Sequence, residues 1–496
     1  MTHFDVVIVG AGLSGIGAAV HLQKQCPGKT WAILESREAI GGTWDLYRYP
    51  GIRSDSDMHT LGYDFKPWRA EKAIADGPSI LAYVNETADE HDVRRHIRMG
   101  RRLDAASWSS EDARWSLDVT NTADDGAPEP ITCSFLLMCS GYYSYDQPYR
   151  PHFEGEEQFE GPMFHPQLWP EDLDYAGKRV VVIGSGATAM TVVPAMAPDV
   201  EHITMLQRSP TYVISRPEKD VIANFLRRVL PDSTAYAITR AKNVFFQRRV
   251  YQKTRTAPEK VKKYLLDQVR KNLPPDYDVE KHFTPRYNPW DQRLCLIPDG
   301  DLYDAIKSGR ASVVTDHIDQ ITKRGILLQS GEELQADIII VATGLNLKVL
   351  GGVRFSVDGR PVDFPATWTY KGMMYSDVPN LVQTFGYINA SWTLRADLTA
   401  EYTCRLLNRM DELGMRACVP RLRDEDRDMP GRPWIDDFPA GYMQRVMHLF
   451  PKQGNREPWL NTQNYARDKK MIRHAPLEDG ALRFENPAGE LTRSTP

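Results

Sequence analysis

Residues 4–20 read F-D-V-V-I-V-G-A-G-L-S-G-I-G-A-A-V, an apolar run that passes at once into glycines at Gly10, Gly12 and Gly15. Phe4–Val9 predicts a short, wholly buried parallel strand, and the small apolar residues after the glycines predict a helix. In such a unit each glycine has its own task. The first permits the tight turn, the second lets the backbone approach a pyrophosphate, and the third lets helix and strand pack closely, so that the helix N-terminus faces the phosphates. The glycine spacing alone is a weak signal, and the flanking strand and helix strengthen it. A second strand, W-A-I-L-E at 31–35, ends in Glu35, where an acidic side chain is expected to accept hydrogen bonds from ribose hydroxyls.

The pattern recurs at Lys178–Ile183, followed by G-S-G-A-T-A with Gly184, Ser185, Gly186, Ala187, Thr188 and Ala189. Alanine in the third place keeps the close packing. The next strand, H-I-T-M-L-Q, ends at Gln207 and runs into Arg208 and Ser209, so a cation and a hydroxyl stand where the first unit carries a carboxylate. An arginine there accommodates the 2′-phosphate of NADP, which a carboxylate would repel. FAD is therefore assigned to the first unit and NADPH to the second. The expected fold is α/β, two Rossmann-like dinucleotide-binding domains with a helical insertion in the NADP domain.

A chain of 496 residues is too long for one core and suits two or three domains. Its formal net charge of -5 gives no sign of a nucleic-acid partner. The six cysteines are scattered without a C-x-x-C pair, which argues against a disulfide-reductase centre and against a metal site. Reduced thiols, a strand beginning almost at residue 1 and the lack of a long apolar run lead to the expectation of a cytoplasmic protein.

The organisation reads as discontinuous. F-L-L-M-C-S at 135–140 ends at Gly141, and D-I-I-I-V-A-T at 337–343 ends at Gly344. Strand-to-glycine exits of this kind mark passages between nucleotide domains. The expected division is 1–145 for the first part of the FAD domain, 146–215 for the NADP domain, 216–288 for a helical insertion, 289–378 for the rest of the NADP domain, and 379–496 for the return to the FAD domain with C-terminal loops. Within the insertion F-L-R-R-V-L, V-F-F-Q-R-R-V-Y and V-K-K-Y-L-L-D-Q-V-R read as amphipathic helices with basic faces. Solvated basic faces over a core-packed apolar stripe are the favoured reading, and peripheral membrane contact is the alternative. A further helix is expected over Leu398–Leu413, and a tail beyond about Pro420 that is mostly loop.

Just ahead of the second glycine loop stands Phe-x-Gly-x-x-x-His-x-x-x-Trp-Pro, made by Phe159, Gly161, His165, Trp169 and Pro170. A second long pattern comprises Gly41, Gly42, Trp44, Tyr49, Pro50, Gly51 and Asp55. Both, in this order, resemble the fingerprints of type I Baeyer–Villiger monooxygenases. The flanking G-G-T-W-D-L-Y-R-Y-P-G-I-R-S-D-S-D and N-P-W-D-Q-R-L-C-L are similar to the branch that contains the mycobacterial ethionamide-activating FAD-containing monooxygenase, over nearly the whole chain.

The resemblance implies an enzyme that uses FAD, NADPH and dioxygen, in which a peroxyflavin attacks a small apolar ketone to give an ester or lactone, with sulfide or thioamide oxidation alongside. It implies Arg293 as the fixed cation that stabilises developing negative charge, a task suited to a side chain that stays charged at any working pH. Asp55 orients and tunes it. It implies FAD contacts at Gly10, Gly12, Ser14, Gly15, Glu35, Gly42, Thr43, Trp44, Asp45, Leu46, Asp55 and Leu103. NADP contacts are implied at Arg53 and Ser54, at Gly184–Ala189 and at Gln207, Arg208 and Ser209. His165 is read as a hinge residue coupling the domains, not as a general base. Many relatives carry a lysine immediately before the catalytic arginine. Here the residue is Gln292, so NADP selectivity rests on Arg208. The alternative activity is an N- or S-hydroxylating flavin monooxygenase, which needs the cofactors but not the Arg293–Asp55 pair. A third reading, a redox sensor that binds FAD and NADP without turnover, conflicts with that pair. Substrate shape is expected to depend on Asn389–Trp392 and on the Pro-rich tail through Trp459.

Overall fold

The computed structural model describes residues 2–122, 126, 128–436 and 440–487. The opening apolar run forms the strand Thr2–Val9, whose last four residues are buried, and it lies between Trp31–Leu34 and Pro128–Met138, parallel to both. The sheet continues through Trp31–Leu34 to Ile97–Arg98. On the other side the long strand Pro128–Met138 forks. Its first half pairs antiparallel with Arg114–Asn121, and its last three residues pair in parallel with Leu381–Gln383. Arg101–Ser109 adds to the antiparallel arm. The helices Leu13–Gln25 and Trp392–Leu413 pack together over one face of this sheet, in the largest core cluster.

The second sheet is wholly parallel, in the order Ala311–Thr315, His202–Gln207, Arg179–Ile183, Ile338–Val341, Met163–Phe164. Its strands are four to six residues long apart from the two-residue edge strand, and the central ones are apolar on both faces, as expected where helices cover a parallel sheet. Two rules of sequence patterning, a buried strand and a glycine turn into a helix, have thus been met twice in one chain.

Two expectations need correction. The chain returns to the first sheet well before residue 379, because Arg354–Val357 pairs in parallel with Arg101–Ser109. The reason is that this short strand joins the antiparallel arm through a pairing some 250 residues apart, which no local pattern announces. The tail is mostly loop, as expected, with a helix, Tyr465–His474, that packs on Trp392–Leu413, and a strand, Leu482–Glu485, that pairs with Ala417–Pro420. The expected helices of the insertion are present as Val221–Val229, Asp232–Thr256 and Pro258–Asn272, but the apolar face of the first is exposed rather than core-packed. The six cysteines are buried and unpaired. Among the described residues no helix is long and apolar enough to cross a membrane.

Candidate active site

The carboxyl ends of both sheets open onto one cleft of about 1180 Å³. Val9, Leu34 and Cys139 reach it from the first sheet, and Ile183, Leu206 and Ala342 from the second. Ligands of open parallel sheets bind at this end of the strands. The volume exceeds the roughly 300–1,000 Å³ usual for a single small ligand. The two glycine turns are built alike. Gly10 and Gly184 have φ of +102° and +135°, and a Cβ on them would stand 2.6 Å from the Cys139 carbonyl oxygen and 2.3 Å from that of Ala342. The helices that follow, Leu13–Gln25 and Ala187–Met196, start without a side-chain cap, which leaves their first N–H groups for a phosphate.

The strand ends beyond the turns differ. Glu35 is buried, and its carboxylate accepts from the Ala11 N–H at 2.7 Å and the Arg37 N–H at 2.9 Å. Burial raises its pKa and these hydrogen bonds work against the rise. Each oxygen thus keeps acceptor capacity directed at the cleft that Glu35 lines. Arg208 is exposed, lines the same cleft and has no carboxylate partner among the described residues. Ser185 Oγ donates to the Ser209 carbonyl at 3.2 Å, closing the second turn.

Between the turns, Arg293 Nε lies 3.1 Å from Asp55 Oδ2, with the arginine side chain 41 % exposed and the aspartate 21 %. Burial disfavours the charge on Arg293 and Asp55 favours it, with a net direction upward, so the guanidinium is charged at any working pH. Arg293 comes just before the strand Cys295–Pro298, which pairs with Val213–Arg216. The turn ahead of it is clamped from the insertion: Arg255 donates to Asp291 at 2.7 Å and to the Trp290 carbonyl at 2.8 Å. Trp290 has φ of +70°, a conformation that non-glycine residues seldom adopt, so the clamp holds a strained turn. Asp55 is placed by the loop in which Ser54 Oγ accepts from the Ser56 N–H at 2.9 Å.

Facing the pair is an aromatic wall. The Tyr142 ring stacks on Trp392 with centroids 5.2 Å apart and lies 4.9 Å from Phe385, and the Tyr142 and Tyr143 hydroxyls are 2.8 Å apart. Trp392 Nε1 donates to Ser14 Oγ at 2.7 Å, tying the wall to the first glycine loop. Burial raises the pKa of Tyr143, while the Tyr142 hydrogen bond and Arg293 lower it.

His165 is buried and joins the two passages between the sheets. Its Nε2–H donates to the Gly344 carbonyl at 2.9 Å, and its Nδ1 accepts from the Gln167 N–H at 3.1 Å. Gln167 Nε2 in turn donates to the Ser144 and Tyr145 carbonyls at 3.0 Å each. The two passages also pair directly, through the Ser144 N–H on the Asn346 carbonyl at 2.8 Å. Burial lowers the His165 pKa against a smaller opposing effect of the Gly344 hydrogen bond, so the ring is neutral.

The model for "Flavin-binding monooxygenase-like" proteins matches residues 74–349, and that for "NAD(P)-binding Rossmann-like domain" matches residues 8–70. The FAD-containing monooxygenase EthA of Mycobacterium tuberculosis is 53 % identical over 97 % of this chain and 98 % of its own length. The chain belongs to the flavin-binding monooxygenase-like family. A probable FAD-binding monooxygenase, AlmA of Acinetobacter baylyi, is 46 % identical over 99 % of this chain and 98 % of its own. In fold, this flavin monooxygenase is similar to an oxidised steroid monooxygenase bound to NADP, with a TM-score of 0.79 and 22 % identity over 98 % of this chain and 100 % of that one.

Most of the residues read from the sequence of this flavin monooxygenase meet at the cleft. Gly12, Ser14, Gly42, Thr43, Trp44, Leu103, Arg53, Ser54, Gly186, Ala187, Thr188 and Ser209 line it with those already described. Five do not. Gly15 packs the helix on its strand, where a Cβ would come 1.9 Å from the Gly10 carbonyl oxygen. Ala189 lies in the core of the second domain. Asp45 is buried and accepts from Arg37 at 2.5 Å, and Leu46 ends the same short helix. Gln207 donates to the His282 carbonyl and to Thr315 Oγ1. Arg53 lines the cleft but is held by Asp301 at 2.5 Å. Phe159, Gly161, Trp169 and Pro170 lie outside the lining: a Cβ on Gly161 would meet the Asp337 carbonyl oxygen at 2.2 Å, and Trp169 packs edge-on to Phe164. Trp459 is fully buried with Nε1 on Asp426, and Asn389 is absent from the lining, whereas Ile388, Ala390 and Trp392 are in it.

The sequence reading missed Tyr142, Tyr143, Phe385 and Tyr442, all of which line the cleft. For two of them a signal existed, since an aromatic pair directly follows the exit at Gly141.

Proposed function

We propose that this flavin monooxygenase is an NADPH-dependent Baeyer–Villiger enzyme that inserts one oxygen atom of dioxygen beside a ketone carbonyl, giving an ester or lactone, and that also oxidises sulfides or thioamides. The observation that carries this reading is the Arg293–Asp55 pair, set between two glycine turns that share one cleft. The uncapped helix N-termini and the size of the cleft fit two dinucleotides. FAD and NADPH, when bound, supply the electrons and the activation of dioxygen.

This chain's residues do the rest. Glu35 binds ribose hydroxyls at the first turn, and Arg208 pairs with a 2′-phosphate at the second. The wall of Tyr142, Phe385 and Trp392 excludes water and offers an apolar surface to a small ketone. Arg293 presents a fixed positive charge to the oxygen that becomes negative as the carbonyl is attacked, and Asp55 fixes the direction of the guanidinium. His165 stays neutral and couples the passages between the domains, its one N–H held by the Gly344 carbonyl.

Replacing Arg293 with alanine tests the assignment. The expected result is a ~10²–10³-fold loss of ketone turnover, the usual cost of removing one preorganised charge-stabilising donor, with flavin content retained. A variant that still converts the ketone at the wild-type rate would refute the role.

A further inference from the structure

Eight of the ten large apolar side chains that are exposed among the described residues fall between residues 221 and 264. On the helix Val221–Val229 they are Val221, Ile222, Phe225 and Val229, with Val221 75 % and Phe225 61 % exposed. The spacing puts them on one face, opposite Ala223 and Asn224, which point inward: Ala223 is buried and Asn224 donates to the Glu71 carbonyl at 3.1 Å. This helix packs on Asp232–Thr256, which exposes Phe245 and Phe246. The start of the first helix is tied to the middle of the second through Lys242 on Asp220 at 2.7 Å.

The charge of the same segment is opposite to that of the chain. Residues 221–272 carry thirteen Lys and Arg against three Asp and Glu, in a protein of formal net charge -5. Arg228, Arg248, Arg249 and Lys253 have no carboxylate partner among the described residues, and Arg249 lies over the Phe245 ring at 5.0 Å. The opposite face of the long helix is committed to the protein, where Arg240 meets Asp397 and Asn243 meets Asp57. Exposed aromatic and branched side chains surrounded by unpaired cations are the signature of a helix that lies in the interface of an anionic bilayer. A second copy of the chain is disfavoured, because a symmetric contact through this face would bring two strongly basic segments together.

We propose that the helical hairpin 221–256 docks this enzyme onto anionic lipid membranes, with Phe225, Phe245 and Phe246 entering the interface and Arg228, Arg248 and Arg249 pairing with headgroup phosphates. The inference is independent of the reaction catalysed at the cleft.

The test is flotation of the flavin-loaded protein with vesicles of phosphatidylglycerol mixed with phosphatidylcholine, and of phosphatidylcholine alone. Two variants accompany the wild type, one with Phe225→Ser, Phe245→Ser and Phe246→Ser, the other with Arg228→Glu, Arg248→Glu and Arg249→Glu. The wild type is expected to float with the anionic vesicles only, less so as salt rises. Each variant is expected to lose on the order of a hundredfold in partitioning, with flavin content and melting temperature unchanged. No binding by the wild type, equal binding to neutral vesicles, or variants that bind as the wild type does would each overturn the proposal. So would a wild-type dimer that ignores vesicles and dissociates in the phenylalanine variant, which would make this face an interface between copies.

Discussion

The two glycine turns share a backbone and differ in what stands beyond them. Gly10 and Gly184 occupy the same positive-φ region, and a Cβ on either would meet the carbonyl beyond the neighbouring strand at nearly the same distance. At the end of the following strand, however, the first unit has a buried carboxylate held by two backbone N–H groups, and the second an exposed arginine held by nothing among the described residues. A buried, preorganised acceptor loses little entropy on meeting its ligand, while a free arginine must be ordered each time. On the proposed assignment of FAD to the first turn and NADPH to the second, one motif serves both cofactors and the difference lies in the fixation of a single side chain.

That contrast can be broken most severely at Gly15, the third glycine of the first turn, set against Gly186, the second glycine of the other. Gly15→Ala drives a methyl group into the Gly10 carbonyl and is expected to abolish recovery of folded yellow protein, whereas Gly186→Ala, with nothing within 4 Å of the new Cβ, leaves the melting temperature in place and weakens NADPH binding only. Expression yield, flavin absorbance and NADPH KM separate the two. Next in size is Glu35→Gln, which sets an amide NH₂ against one of two backbone donors. A cost of about 1–3 kcal/mol is expected, visible as loss of flavin on dilution with the NADPH KM unchanged. Arg208→Ala sharpens the other side: NADPH KM rises ~10-fold or more, as for loss of one charged hydrogen bond, and NADH KM stays. Equal change for both coenzymes would remove Arg208 from the phosphate site.

The smallest effect concerns His165, which joins the passages between the two sheets. Burial depresses the His165 pKa, so the unfolded chain takes up a proton near pH 6.5 while the folded one resists. The stability this gives is present above that pH and is lost as pH falls through the folded value. His165→Gln is expected to show a shallower fall in melting temperature than the wild type below about pH 6.5. Identical slopes would mean that another group carries the dependence.

What could be read from sequence was local. Gly10, Gly12, Glu35 and Gly184 declare themselves because strand, turn and helix are adjacent in the chain. Asp45, which the resemblance implied as an FAD contact, lies outside the cleft lining against Arg37, a pairing that only the fold brings about. The wall of Tyr142, Phe385 and Trp392 joins segments almost 250 residues apart, and the parallel pairing of Arg354–Val357 with Arg101–Ser109 is equally remote. Periodicity showed that 225–230 has an apolar face. It could not show that nothing covers Val221 and Phe225, because coverage is a property of the neighbours.

The central claim is that Arg293 and Asp55 act as one unit where the two domains meet. A double-mutant cycle of Arg293→Lys and Asp55→Asn, read as ester formed per NADPH consumed, tests it most directly. The account predicts that each single change lowers the ratio to a similar extent and that the double variant is little worse than either. Losses that simply add in the double variant, or a ratio unaffected by Asp55→Asn, would contradict it.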